Sequence, residues 1–367
     1  MAMRSPSNKH WTFMILVYLC LIYLPLIISK SDNAESFIRG DSYYYRAIVV
    51  SLLEDGDLLL ENNISADPLN GDLALGQEGL VPKHPILLPI ISLPFYLWFG
   101  SPGLLLFNIF HCMVLMILVF KLNSLFYHRM ISFITTILYA TGTLFLDYTY
   151  SYSPDIFSTV LLLGGLYLVL RGRYYVGAAL LGFSIFAKLP NAPLVGVIVL
   201  YVGFLILRGD STNVSVSEHF QGRVTVLITT AAIFVIMLIP FLYTNYELFG
   251  APFVTGYQRT AAAMANGEVV VVDHVGKFNQ PLLKGIFVLL FDPRNGVIPT
   301  NPVLILAFLG VIWIRRIHSQ DKIYLILLIC LIQFLFFAKY DEWYMSDFSN
   351  RFLMTLLLSL PFLPATF

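Results

Sequence analysis

Charged side chains are scarce in this 367-residue chain: they make up 12% of it, 22 basic and 22 acidic. Soluble domains average about a quarter charged, so this chain has too few to coat a water-facing surface. The balance is neutral and no basic patch breaks it, which leaves no electrostatic footprint for nucleic acid. Cysteine is nearly absent. Cys20, Cys112 and Cys330 all lie inside apolar runs, where a thiol acts as a small core residue and neither a disulfide framework nor a metal cluster follows. A phosphate-binding glycine loop, a dinucleotide fingerprint and a nucleophile elbow are also missing, so nucleotide-driven chemistry is not expected. Barrel-type alternation of apolar and polar residues is absent as well, which leaves helices as the membrane-spanning solution.

What the sequence does hold is apolar. Hydrophobic residues make up 58% of it and aromatics 15%, many of the aromatics near run ends, where interfacial belts form. Runs of roughly 16–23 apolar residues recur from end to end, the length a helix needs to cross a bilayer core. The expectation is an all-α, polytopic transmembrane protein. Arg4, Lys9 and His10 precede the run 11–29, which reads as an uncleaved first helix with its basic end in the cytoplasm. Further helices are expected at 102–121, 131–149, 155–171, 174–188, 190–207, 224–245, 298–314, 322–338 and 351–367, for about ten crossings. The apolar segment 83–100 is short and broken by Pro89 and Pro94. Reading it as re-entrant or interfacial puts Lys121, Arg129, Arg171, Arg173, Arg208, Arg223, Arg315, Arg316 and Lys322 on the cytoplasmic side. The whole of 1–367 is then one transmembrane domain with a long first external loop at 30–101. Because the sequence stops inside an apolar run, a further helix or soluble domain is expected beyond it.

That first loop carries Gly40-Asp41-Ser42-Tyr43-Tyr44-Tyr45-Arg46. Tyr45, Ile48, Val49, Leu52 and Leu53 fall on one helical stripe. Asp41 is placed to cap this helix and Gly56 to end it, and the helix is expected to lie on the outer membrane surface. Partial desolvation raises a carboxylate toward the pKa a general base needs, so Asp41 is both a cap and a candidate catalytic group. Asp155 opens a helix after Ser153-Pro154, where an acid also suits the helix dipole. Lys83, Lys188, Arg259 and Arg351 are the expected outer cations. Lys188 interrupts an apolar stretch, an expensive position that either marks function or snorkels to the interface. Such cations suit a lipid-linked phosphate. His84 and His111 lack the paired spacing of a metal site, although a divalent cation bridging Asp41 and a phosphate is chemically compatible.

The order of these features resembles the GT-C membrane glycosyltransferases, above all the protein O-mannosyltransferase and aminoarabinose-transferase group. Asp41 in Gly-Asp-Ser-Tyr-Tyr-Tyr is similar to the family's first-loop acid. Lys83-His84-Pro85 resembles its Lys/His-Pro-Pro segment, with Ile86 replacing the second proline. The turn from Gly182 to Lys188 resembles its Gly-(apolar)-Thr-Lys turn, with Ala187 in place of Thr. The run from Phe249 to Tyr257 resembles a Phe-Gly-x-Pro-Phe-x-Thr-Gly-Tyr segment, and Asp292 to Gly296 with Pro302 resembles a loop leading into the next helix. The stretch from Trp343 to Arg351-Phe352-Leu353 resembles a Trp-rich loop ending in Arg-(aromatic)-Leu, with Met345 and Ser346 where the family has glycines.

The resemblance implies an inverting transfer of a sugar from a polyprenyl-phosphate donor to a hydroxyl of a protein, glycan or lipid acceptor, on the outer face of a plasma membrane. Asp41 would be the base and Asp155 would orient the sugar or acceptor. Lys188, Arg259 or Arg351 would hold the departing phosphate, while Lys83, His84, Tyr257 and Trp343 would line the pocket. Two other classes stay open: a transporter or lipid-linked-sugar flippase using Asp155 and Lys188, and a noncatalytic relative that kept the fold.

Overall fold

The computed structural model describes residues 8–28, 37–64, 70–143, 145–208, 220–263, 269–273, 277–305, 320–341 and 353. The protein is mostly helical. Helix α1 is Asn8–Ile28, α2 Asp41–Glu54, α3 Leu87–Phe99, α4 Ser101–Asn123 and α5 Arg129–Gly142. Then follow α6 Pro154–Leu170, α7 Tyr174–Ala187, α8 Ala192–Arg208, α9 Phe220–Phe249, α10 Leu282–Phe291 and α11 Gln320–Ala338. Among the described residues four helical stretches are long and apolar enough to cross a membrane: Ser101–Asn123, Leu189–Arg208, Gln221–Phe249 and Asp321–Ala338. The expected helices at 298–314 and 351–367 lie largely outside the described residues.

The centre of the molecule is the run α4–α6–α7–α9, in which each helix packs closely on the next. Small residues permit this. A methyl group on Gly177 would meet the Val169 side chain at 2.8 Å and the Gly165 carbonyl at 3.1 Å, so α6 and α7 cross with backbones nearly touching. In a membrane, where lipid is as apolar as leucine, such close packing replaces the hydrophobic drive between helices.

Three expectations shift. The helix expected at 131–149 stops at Gly142, because Thr143 turns extended (φ −129°, ψ 171°) and its Oγ1 accepts from the Phe145 amide; a separate helical turn covers Phe145–Tyr148. Between the helices expected at 224–245 and 298–314, where no helix is expected, lies α10, whose Leu283 and Phe287 are exposed. Its 10 residues reach about 15 Å, half a bilayer core. The third shift is a four-stranded sheet ordered β2-β1-β3-β4, with β1 Asn70–Leu75, β2 Leu80–Pro82, β3 Thr260–Ala263 and β4 Val269–Val272. All its pairs are antiparallel. These strands have 3 to 6 residues, too short to stand out from loops until they pair.

Helix α2 forms where expected and ends at Gly56, whose φ of +73° closes the turn. Gly40, not Asp41, is its N-cap, and Asp41 is the first helical residue. The stripe is covered by protein: Tyr45, Ile48 and Val49 are 2%, 2% and 0% exposed, in one cluster with Leu87, Leu104 and Tyr152. The helix packs on α3 instead of presenting that face to a membrane surface. Arg46 reaches from the same helix to donate Nε–H to Ser101 Oγ at 3.0 Å. The 13 residues of α3 span about 20 Å, short of the roughly 30 Å core, before Gly100 turns the chain into α4.

Candidate active site

The sheet decides which polar residues meet. Strand β1 carries Asp72, and β2 leads directly into Lys83 and His84. Strand β3 follows the 3-10 turn Gly256–Gln258, which holds Tyr257. That turn is fixed by Gln258, whose Oε1 accepts from the Thr255 amide at 2.8 Å. Gly256 is required there because a side-chain methyl would run into the Lys83 backbone. The close approach seats Lys83-His84 beside Tyr257.

The result is a polar cluster at the start of α2. One ligand-type atom from each of Asp41, Asp72 and His84 lies within 4.8 Å of the others. Lys83, 8% exposed, places its ammonium 3.8 Å from Asp72 Oδ1. His84 Nδ1 is 3.0 Å from the Tyr257 hydroxyl. The imidazole stacks on Tyr45 with centroids 5.5 Å apart and meets Tyr257 edge-on. Lys83, His84 and Tyr257 also line a small cleft whose other lining is apolar, with Phe186, Leu189 and Phe241.

Asp155 and Lys188 form an ion pair across the α6 start and the α7 end, and Asp155 is 3% exposed. Ser153 caps α6 by accepting from the Asp155 amide, and its hydroxyl donates to Asp155 Oδ2 at 2.5 Å. The carboxylate is thus held from both sides. Next to it, Tyr152 is fully buried and shares a 2.6 Å hydrogen bond with Ser92 of α3; burial pushes its phenol pKa up, so it stays a neutral partner. Its ring meets Tyr45 edge-on, linking the Asp155 end of α6 to the His84 cluster through aromatic contact. Arg259 sits at the sheet junction, donating Nε–H to the Leu75 carbonyl at 3.3 Å while its own carbonyl accepts from the Leu75 amide.

No family model matches the chain, and no curated protein sequence matches it. Solved structures do. The aminoarabinose transferase ArnT from Cupriavidus metallidurans bound to undecaprenyl phosphate superposes with a TM-score of 0.60 at 14% identity, over 98% of this chain and 60% of that one. Its apo form gives 0.56 at 14% identity over the same shares. The Archaeoglobus fulgidus oligosaccharyltransferase gives 0.56 at 13% identity, over 97% of this chain and 50% of that one. Both enzymes are GT-C glycosyltransferases.

The chain has the GT-C fold.

It spans about 60% of the length of ArnT and half that of the oligosaccharyltransferase. Within this GT-C chain Asp41, Lys83, His84 and Tyr257 come together, Asp155 and Lys188 pair with each other, and Arg259 fastens the sheet. Trp343 and Arg351 lie outside the described residues. Asp72 escaped the sequence reading. It stands in a short strand with no motif around it, and only the pairing of β1 with β2 brings it to Lys83.

Proposed function

We propose that this integral membrane protein is a glycosyltransferase that moves a sugar from a polyprenyl-phosphate donor to an acceptor hydroxyl on the outer membrane face, with inversion. The observation that carries the reading is the placement of Asp41 in one cluster with Lys83 and His84, at a cleft with an apolar wall. A donor with a phosphate head and a lipid tail needs both surfaces. The undecaprenyl phosphate bound in the ArnT structure supports a ligand of that class. Asp41 accepts the acceptor's hydroxyl proton as the oxygen attacks the anomeric carbon from the face opposite the phosphate. The new C–O bond forms as the anomeric carbon–phosphate oxygen bond breaks, and the electron pair leaves on the polyprenyl phosphate. Lys83, buried in the same cluster, supplies a positive charge for that leaving group. Lys188, paired with Asp155, lies in sequence between the cleft-lining Phe186 and Leu189 and is proposed as a second group for the phosphate, with Trp343 and Arg351 proposed to complete the pocket. A plasma membrane, with a protein, glycan or lipid acceptor, fits this chemistry.

The test is Asp41→Asn in membranes supplied with undecaprenyl-phosphate sugars. The expected result is loss of transfer with normal expression, and undecaprenyl phosphate binding by the purified chain retained within about threefold, since a base contributes mainly in the transition state. Near-normal transfer by Asp41→Asn overturns the base assignment.

A further inference from the structure

The sheet that frames the polar cluster ends on β4, and among the described residues no strand pairs with its far side. Which backbone groups that side presents follows from the register. The Leu75 amide donates to the Arg259 carbonyl, so Arg259 faces β1. Backbone groups alternate sides along a strand, and Thr260 and Ala262 therefore turn theirs to β4, opposite Val272 and Val270. That leaves Val269 and Val271 directing their N–H and C=O groups away from β3. Their side chains are 41% and 42% exposed.

Native sheets blunt such an edge with lysine, proline or a bulge. Val269–Val272 has no charge and no proline, and all 4 of its residues pair with β3 in unbroken register. An unblunted edge selects its occupant. A row of outward donors and acceptors is matched along its length by another extended backbone, whose alternate side chains pack on the valines. Neither a glycan nor a lipid offers that repeat. We propose that the β4 edge binds an extended segment of a polypeptide acceptor as a fifth strand. The proposal rests on the transferase reading and narrows its acceptor to a polypeptide. The added strand lies three strand spacings from β1, about 14 Å, too far to present its own hydroxyl to Asp41 beside Asp72. The hydroxyl-bearing residue that receives the sugar therefore stands roughly four or more residues from the paired stretch, at about 3.3 Å per residue.

The experiment uses the purified full chain in detergent and a fluorescein-labelled peptide of repeated Val-Thr between paired lysines, read by fluorescence anisotropy with no sugar donor present. Saturable binding is expected. The same peptide with every valine and threonine N-methylated has no backbone donors and is expected to bind about tenfold more weakly. Val271→Pro removes an outward N–H at a place where an edge strand tolerates proline. It is expected to weaken the unmethylated peptide about tenfold and to leave the unfolding temperature unchanged. Absence of saturable binding, equal binding of the two peptides, or undiminished binding by folded Val271→Pro overturns the proposal. Should that variant misfold, the two peptides decide it on the unmodified chain. Light scattering covers the rival occupant: a dimer that Val271→Pro converts to a monomer puts a second copy on the edge and overturns the proposal as well. Binding is read without sugar transfer, so the two readings fail separately. A chain that binds the peptide yet transfers no sugar counts against the transferase alone, and transfer to a glycan or lipid without peptide binding counts against the edge alone.

Discussion

Lys188 sits where an ammonium is costly, and Asp155 stabilises it from a position only 3% exposed. Removing one partner of such a pair leaves the other charge uncompensated, whereas removing both is far milder. Asp155→Ala is therefore expected to cost about 3 kcal/mol, and Asp155→Ala with Lys188→Met appreciably less, read as a double-mutant cycle in thermal unfolding. Additive losses would show that the two side chains are not coupled. At Gly256 an added methyl collides with the Lys83 backbone. Gly256→Ala should lower stability by about 1–3 kcal/mol through overpacking and weaken undecaprenyl phosphate binding by shifting Lys83. Unchanged binding would separate this contact from the site. At this scale the sequence already exposed Asp41, Lys83, His84 and Lys188, because charge beside apolar runs is conspicuous. It could not expose Asp72, whose significance comes wholly from a partner strand.

Among elements, helices were legible and strands were not. Helix α2 announced itself through the Tyr45–Ile48–Val49 stripe and Gly56, yet periodicity cannot say whether a stripe meets lipid or protein. Here it meets α3 and the Tyr152 ring. Strands β1 and β3 have no local signature, and their pairing joins positions nearly two hundred residues apart. The register sets Asn70 opposite Ala262. Opposed residues on antiparallel strands lie about 4.5–5.5 Å apart at Cα, close enough for a disulfide. The double variant Asn70→Cys and Ala262→Cys should cross-link under mild oxidation, seen as a mobility shift reversed by reductant. Failure to cross-link would refute the sheet.

For the whole molecule, composition alone excluded a soluble protein, and four described helices meet the length and hydropathy of a membrane span. Crossing number is less readable, since α6 and α7 have 17 and 14 residues and pack among other helices instead of spanning by length alone. Orientation remains an expectation from the basic loops, and it can be checked at the exposed β1–β2 turn. In the chain carrying Glu78→Cys, a membrane-impermeant maleimide should label that cysteine from outside intact cells. Labelling only after the cytoplasmic face is opened would invert the topology and remove the cluster from the outer face.

The sheet also sets a clock. His84 and Tyr257 are separated by 173 positions, and ribosomes add about 5–20 residues per second. The first loop therefore emerges on the order of ten to thirty seconds before β3 exists to receive it. During that interval Asp72, Lys83 and His84 stand on an unfinished edge, and the intervening helices must insert before it closes. Competence at this centre is thus among the last properties the nascent chain acquires, and a lesion in β3 would strike it as hard as one in the first loop.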